Sequence, residues 1–349
     1  MNFSNTLINW YSENKRALPW RETQNPYYIW LSEIILQQTQ VRQGLPYYEA
    51  FVTKFPSIFD LANASEEAVL KLWQGLGYYS RARNLHTTAK YIAFELDGIF
   101  PDNYKELIKL KGVGDYTASA IASIAFNEVA AVVDGNVYRV LSRFFGIDTP
   151  INSSSGIKEF KALATSLIDK EQPAVFNQAI MEFGATQCKP KNPYCIVCPL
   201  SKGCVAFQKQ KIDQLPVKLK KTKVTTKYFN FLVCIDKHKN TLLEKRTGKG
   251  IWQNLYQFPL IESEKSISDA EFHQLNIKEI IPADSNFEYS LYNVEDKIHK
   301  LSHQHLHTKF WIIELGELPK GAIPIKDLER YPAPVLISDF ISTFNFDRV

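Results

Sequence analysis

The sequence predicts a two-part protein, with an all-α N-terminal half that closes on a cysteine-rich loop and a smaller α+β module behind a basic linker. Three observations carry this. Apolar residues recur at helical spacing from Tyr28 to Phe145, and no alternating strand pattern stands out before position 220. Four of the five cysteines fall between Cys188 and Cys204. After Lys227 the apolar runs become β-branched and aromatic. A length of 349 residues suits two or three domains. With 45% hydrophobic and 22% charged residues the chain is globular, neither disordered, collagen-like nor a simple coiled coil.

The helical reading runs Tyr28 to Gln38, Pro46 to Phe55, Glu66 to Gln74, Ser80 to Leu96, Asn103 to Leu110, Tyr116 to Phe126 and Val137 to Phe145. Breaks such as Phe55-Pro56-Ser57, Gly75-Leu76-Gly77, Phe100-Pro101-Asp102 and Thr149-Pro150 separate these segments. Lys209 to Lys227 is Lys-rich, holds Pro216 and lacks apolar periodicity, so residues 209–226 read as an exposed linker between domains at 1–208 and 227–349. In the second half Tyr228 to Ile235 and Lys309 to Glu314 read as strands, and Asp236 to Asn240 as a hairpin turn. Cys234 falls in a strand and reads as a packed thiol. The N-terminus lacks the features of a signal peptide, and no apolar run approaches the roughly 18 residues of a membrane span. The net charge of +4 is compatible with a polyanionic partner without demonstrating one.

The four clustered thiols are Cys188, Cys195, Cys198 and Cys204. Their crowding without a secretion signal points to metal ligation rather than to disulfides, with an iron–sulfur cluster or zinc as the candidates. Lys111-Gly112-Val113-Gly114-Asp115 lies between two helices. Gly112 and Gly114 permit a tight turn whose backbone N–H groups, at the start of the next helix, can receive a phosphate. With no strand before it, this is a helix-hairpin-helix clamp rather than a dinucleotide loop. Asp134 separates an apolar run from a new helix; it is either an N-cap alone or a capped carboxylate held ionised by a low pKa. Glu33 has Ile29, Trp30, Leu36 and Gln37 on its helix face, so it is either an edge residue or a desolvated acid with a raised pKa. One raised and one lowered carboxylate would suit cleavage of a glycosidic bond.

Five motifs in order then carry a resemblance: Leu18-Pro19-Trp20-Arg21, Trp30 to Val41, Gly75 to Leu85, Gly112 to Ala118 and Val133 to Val137. From about residue 5 to the C-terminus the chain resembles the MutY-type adenine DNA glycosylases, helix-hairpin-helix proteins with a four-Cys iron–sulfur loop. The resemblance implies that Glu33 protonates N7 of a flipped adenine and that Asp134 stabilises the deoxyribose oxocarbenium ion. It implies that Asn136 and Tyr116 support those two groups, and that Trp20, Arg21, Leu36 and Gln178 line the adenine pocket. For Trp20 and Leu36 simple packing is the competing role. Thr39 falls in the same binding motif, and Gln38 and Tyr78 are the residues expected to enter the duplex. The four Cys would hold a [4Fe–4S] cluster.

The family's lyase relatives place a Lys just after the Gly-x-Gly turn, whereas this chain has Tyr116, so a monofunctional enzyme that leaves an abasic site is expected. Gly250 to Pro259 resembles the family's Nudix-like domain, without the Glu-rich helix that a Nudix hydrolase needs for magnesium. That domain would instead recognise 8-oxoguanine through Ser302 and His303, with Leu301 in place of the family's aromatic residue. His303, His305 and His307 alternate and read as one exposed strand face rather than a metal site with His299. The expected partner is double-stranded DNA with 8-oxoguanine:adenine or guanine:adenine mispairs. The expected protein is a cytoplasmic monomer, nucleoid-associated if bacterial. The competing functions are a glycosylase/lyase on oxidised pyrimidines, disfavoured by Tyr116, and a non-catalytic damage-binding protein, disfavoured by Glu33 and Asp134 together.

Overall fold

The computed structural model describes residues 2–219, 224–281 and 286–348. The chain divides into two compact units, Met1–Asn63 with Asn84–Lys220, and Ala64–Arg83 with Lys221–Val349. Residues 64–83 therefore group with the C-terminal half, although the sequence reading assigns them to the helical domain.

The first unit is helical. It contains α1 (Phe3–Asn14), α2 (Pro26–Leu36), α3 (Val41–Lys54) and α4 (Ile58–Asn63), while α5 (Glu66–Leu72) belongs to the second unit and α6 (Ser80–Glu95) spans the division. It continues through α7 (Tyr104–Leu107), α8 (Asp115–Phe126), α9 (Gly135–Phe145), α10 (Ser154–Leu167), α11 (Pro173–Thr186) and α12 (Val205–Gln208). The ends follow local chemistry. Asn25 caps α2 through Tyr27 N with Pro26 at the first turn, Ser153 caps α10, and Gly146 closes α9 in the left-handed region. Two readings shift. Helix α3 begins at Val41, ahead of Pro46, because a proline near a helix start forfeits only one backbone bond. Helix α2 stops at Leu36, and Gln38 turns into positive φ at 57°. The sequence reading contains no counterpart of helices α1, α4, α10, α11 and α12. Leu7, Val137, Leu141, Phe160, Phe176 and Phe183 form the core that joins α1, α9, α10 and α11.

The segment read as a linker is tied down over its first half. Leu215 is buried, Arg143 Nε donates to the carbonyls of Ile212 and Leu215, and Ile151 N donates to Val217 O. Its polar composition conceals these backbone acceptors; residues 220–223 lie outside the described ones.

The second unit carries β1 (Thr225–Asp236), β2 (Asn240–Thr241), β3 (Glu244–Lys245), β4 (Tyr256–Gln257), β5 (Leu260–Ser263), β6 (Phe287–Leu291), β7 (Lys297–Lys300), β8 (Gln304–Leu315), β9 (Ile323–Pro324) and α13 (Val335–Thr343). Its spine is the parallel pair β1 and β8, in register from Thr225↔Gln304 to Asp236↔Leu315. The order β6-β8-β1-β2-β9 is completed by β5 on β1 and β7 on β8, with β3 and β4 as a separate pair. Asp236 accepts from His238 N and Asn240 N, which makes the expected hairpin turn. Leu232, Cys234, Phe272 and Trp311 form one core cluster, and Phe310 stacks on Phe340 of α13 at 4.2 Å. Among the described residues of 224–348 no Glu-rich helix occurs. His303 precedes β8 instead of lying on it, and His307 is half-buried against Asp296 at 3.1 Å. The three histidines therefore share no exposed strand face.

Candidate active site

Four helices of the first unit frame one cavity of about 170 Å³, below the 300 Å³ or so of a drug-sized ligand pocket and suited to a single flat base. Glu33 enters it from α2, Tyr116 from the first turn of α8, Asp134 and Asn136 from the start of α9, and Gln178 from α11. Trp20, Arg21, Leu36 and Thr39 complete the expected lining. Gln38 is exposed and lines no part of the cavity. Tyr78, Ser302 and His303 belong to the second unit.

Glu33 is buried on an apolar helix face. Desolvation pushes its carboxyl up to about 7, and nearby Asp134 adds to the rise, against the opposing pull of the Tyr116 hydroxyl and Arg21. A carboxylic acid that keeps its proton near neutrality can donate it. Tyr116 is pushed well above the ordinary phenol range by burial and by both carboxylates, so it stays a neutral phenol. Its Oη lies 3.3 Å from Met181 Sδ.

Asp134 caps α9 as expected, accepting from Asn136 N at 2.9 Å and Val137 N at 2.8 Å, while Asn136 Nδ2 donates to its other oxygen at 2.7 Å. The expected low pKa is not found. Burial raises the carboxyl above the ordinary aspartate value, outweighing those bonds and the charge of Arg139. Capping is visible in a sequence, whereas the depth at which a cap sits is set by the packing around it. Both carboxylates are thus raised, which differs from the one-up, one-down pair that the sequence suggests.

Several supporting residues carry no local signature. Glu182, one turn after Gln178 on α11, is buried and binds Arg16 Nε at 2.6 Å and Arg21 Nη2 at 2.7 Å. Burial alone would raise Glu182, but the two guanidinium groups outweigh it and hold the carboxyl at about 2. Arg21 stacks 5.4 Å over Tyr11, whose hydroxyl donates to Gln178 Oε1 at 2.8 Å and leaves the Gln178 Nε2 donors for the cavity. Arg139 reaches Asn136 Oδ1 at 2.7 Å, Gly184 O at 2.6 Å and Cys188 O at 2.7 Å. A Cβ at Gly184 would meet Asn136 Cβ at 2.6 Å, so only glycine lets α11 pass this close to α9. The i+4 relation of Glu182 to Gln178 is the one sequence signal that could have found it.

In the hairpin Gly112 takes φ +80, and an added Cβ would strike Asn84 at 2.7 Å. Gly114 caps α8 without a side-chain bond and faces open space. The first-turn N–H groups of α8 therefore have no side-chain cap at the helix's positive end.

The four clustered cysteines are free thiols that line one small apolar cavity with Val140, Phe144, Phe183 and Arg143. Arg143 Nη1 lies 3.5 Å from Cys188 Sγ. Burial and the neighbouring thiols push Cys198 up to about 11 and raise Cys195 and Cys204 as well. Four mutually repelling thiolates need a cationic centre, and bound iron would supply that charge. Among the described residues no group of three or more His, Cys, Asp or Glu side chains converges closely enough to hold a metal ion. The four thiols that line this one cavity have the donor chemistry that would hold an iron–sulfur cluster.

In the second unit Ser302 and His303 are exposed at the β7–β8 turn, with Ser302 Oγ 3.3 Å from His303 Nδ1. His303 O accepts from Thr225 N, which ties the turn to β1. Tyr78 is 53% exposed and holds φ +47, in a turn where Gly75 and Gly77 are also positive. A bulky exposed residue kept in that region is strained, as functional residues often are. Among the described residues no helix is long and apolar enough to cross a membrane.

Residues 31–164 match the HhH-GPD superfamily of base excision DNA repair proteins, and residues 230–343 match the NUDIX domain. The chain is 39% identical over 322 residues to an adenine DNA glycosylase of Buchnera aphidicola subsp. Baizongia pistaciae, covering 89% of this chain and 86% of that one. It is 45% identical over 222 residues to an adenine DNA glycosylase of Homo sapiens, covering 61% of this chain and 41% of the human protein. Among solved structures a thermostable thymine-DNA glycosylase aligns at TM-score 0.55 and 32% identity, over 59% of this chain and 95% of its own. With an HhH-GPD and a NUDIX domain in sequence and such identity over nearly its whole length, the chain belongs to the adenine DNA glycosylase family.

Proposed function

We propose that this protein excises adenine mispaired with 8-oxoguanine, and less efficiently with guanine, from double-stranded DNA, and leaves an abasic site. One observation carries the reading: two carboxyl groups, buried Glu33 and half-buried Asp134, share a base-sized cavity whose lining contains a phenol, Tyr116, and no lysine. Glu33, protonated near neutrality, gives its proton to N7 and turns adenine into a neutral leaving group. Asp134 stands against the sugar as positive charge grows at C1′. That charge opposes the desolvation which raises its pKa, so the carboxylate is stabilised most when the oxocarbenium ion forms. Asn136 holds the Asp134 oxygen, and Gln178 with Arg21 and Trp20 receives the base. The uncapped N–H groups after Gly112 and Gly114 bind a backbone phosphate, which fixes position without reading sequence. Gln38 and Tyr78 enter the duplex, and Ser302 with His303 reads 8-oxoguanine. Cys188, Cys195, Cys198 and Cys204 would hold a [4Fe–4S] cluster, which would fasten the Cys loop that Arg143 also ties through Lys189 O.

The experiment is adenine release from an 8-oxoguanine:adenine duplex, with strand integrity followed before and after alkali. The wild type is expected to release adenine and leave the strand intact, and Tyr116→Lys to nick it with a borohydride-trapped adduct on the new amine. Efficient strand cleavage by the wild type, with an adduct on a native lysine, would overturn the monofunctional reading in favour of a lyase. No adenine release would favour the damage-binding alternative.

A further inference from the structure

Gly250 to Pro259 carries the likeness to the Nudix domain, yet no step of the proposed reaction uses it. Several of its polar groups, with Lys245, contact residues 64–83, which belong to the same unit. Asn254 Nδ2 donates to Glu66 Oε1 at 2.6 Å, Tyr256 Oη donates to Glu67 Oε1 at 2.7 Å, and Lys245 Nζ pairs with that oxygen at 2.8 Å. Arg83 Nη1 donates to Gln253 O at 2.9 Å. From the other side Gln74 Nε2 donates to Ser338 Oγ at 2.8 Å, its Oε1 accepts from Ala333 N at 3.2 Å, and Tyr79 Oη donates to Ala333 O at 3.3 Å. Trp252 and Asn254 hold left-handed backbone at φ 59° and 66°, which aims the loop's polar groups at α5.

The held segment bears the strained turn. Gly75, Gly77 and Tyr78 take φ of 103°, 71° and 47°, with Trp73 Nε1 donating to Gly77 O at 3.1 Å and the Arg81 guanidinium 5.8 Å from the Tyr78 ring. A turn of this kind persists only when surrounding contacts over-determine it. The ties flank it on both sides, at Glu66, Glu67 and Gln74 before it and at Tyr79 and Arg83 after it.

We propose that Lys245, Asn254 and Tyr256, with Ala333 and Ser338, are positioning residues for Tyr78: the NUDIX unit clamps the turn that inserts into the duplex, in addition to any contact it makes with the damaged base. The inference rests on the reading of Tyr78 as a duplex-entering residue. Without the clamp the turn relaxes to ordinary backbone and Tyr78 must be ordered again on binding, which raises the free energy of insertion rather than that of bond cleavage.

The test uses the full-length protein and an 8-oxoguanine:adenine duplex with 2-aminopurine beside the 8-oxoguanine, whose fluorescence rises as the stack opens. Lys245→Gln with Tyr256→Phe removes two ties at Glu67. Glu67→Lys sets two like charges face to face, and Glu67→Lys with Lys245→Glu restores the ion pair with its signs exchanged. We expect the first two variants to lose most of the fluorescence rise, as Tyr78→Ala does, and to slow excision about tenfold, with the double reversal recovering most of both. A normal fluorescence rise in Lys245→Gln/Tyr256→Phe, alongside its loss in Tyr78→Ala, would overturn the clamp while leaving the Tyr78 reading intact. A double reversal no better than Glu67→Lys would overturn it too. A normal rise in Tyr78→Ala would instead remove the reading on which the clamp rests.

Discussion

The cavity of the first unit and the β7–β8 turn of the second handle charge in opposite ways. In the cavity Glu33, Tyr116 and Asp134 are all desolvated, and all three shift toward their protonated forms. At the turn Ser302 and His303 stand in solvent with each other as side-chain partners. Bond cleavage needs a proton at a defined atom and a low dielectric around growing charge, so it needs burial. Reading a base edge needs donors and acceptors that can leave water, so it suits exposure. Substitutions in the two regions should therefore differ in size and in their effect on stability.

The largest effect is expected from Glu33→Gln. Loss of the acid should slow single-turnover excision by about 10²–10⁴-fold while duplex binding persists. Stability should move the other way. Folding raises the Glu33 pKa from 4.5 to about 7, so the folded protein holds a proton that the unfolded chain releases as pH climbs through 4.5. Wild-type stability consequently falls between those values, by roughly 3 kcal/mol when complete. Glu33→Gln should remove that fall, seen as a higher melting temperature at pH 8 than the wild type. A variant that retains more than a tenth of the wild-type rate would reject Glu33 as the acid. In the wild type the rate should decline once pH passes about 7, and a profile flat to pH 9 would contradict the same assignment.

Next in size is Glu182→Ala, which strands the guanidinium groups of Arg16 and Arg21. A buried pair broken on one side costs about 3–5 kcal/mol. The carboxyl sits at about 2 in the fold, below its ordinary 4.5, so its contribution is present above that value and fades as pH falls toward 2. Chemical denaturation at pH 7 and pH 3 should show the difference between variant and wild type shrinking at the lower pH. An equal difference at both would place the effect in packing rather than charge.

The smallest effect belongs to the exposed turn. Ser302→Ala with His303→Ala should leave melting unchanged and weaken the preference for 8-oxoguanine over guanine by about 1–3 kcal/mol, the worth of two hydrogen bonds. An unchanged preference ratio would move discrimination away from this turn and break the contrast between the two regions.

Local pattern carried much of this site. The apolar neighbours of Glu33 announce a desolvated acid, the position of Asp134 before an apolar helix announces a cap, and Gly-Val-Gly between helices announces a tight turn, because each depends on contacts within a few residues. Tyr116 excludes a Schiff-base amine by its identity alone. The tertiary structure decided the rest. The depth of Asp134 follows from helices packed around it, so its pKa rises where the cap by itself implies a fall. The link from Glu182 to Arg16 and Arg21 joins α11 to residues far earlier in the chain, and no local period encodes it. The same holds for residues 64–83. Their sequence reads as a helix, a glycine break and the start of a second helix in the N-terminal half, and only long-range partners at 245, 254, 256, 333 and 338 place them in the other unit. Hydrophobic periodicity says which face of a helix is buried; what it is buried against depends on chain closure, which a local pattern does not contain.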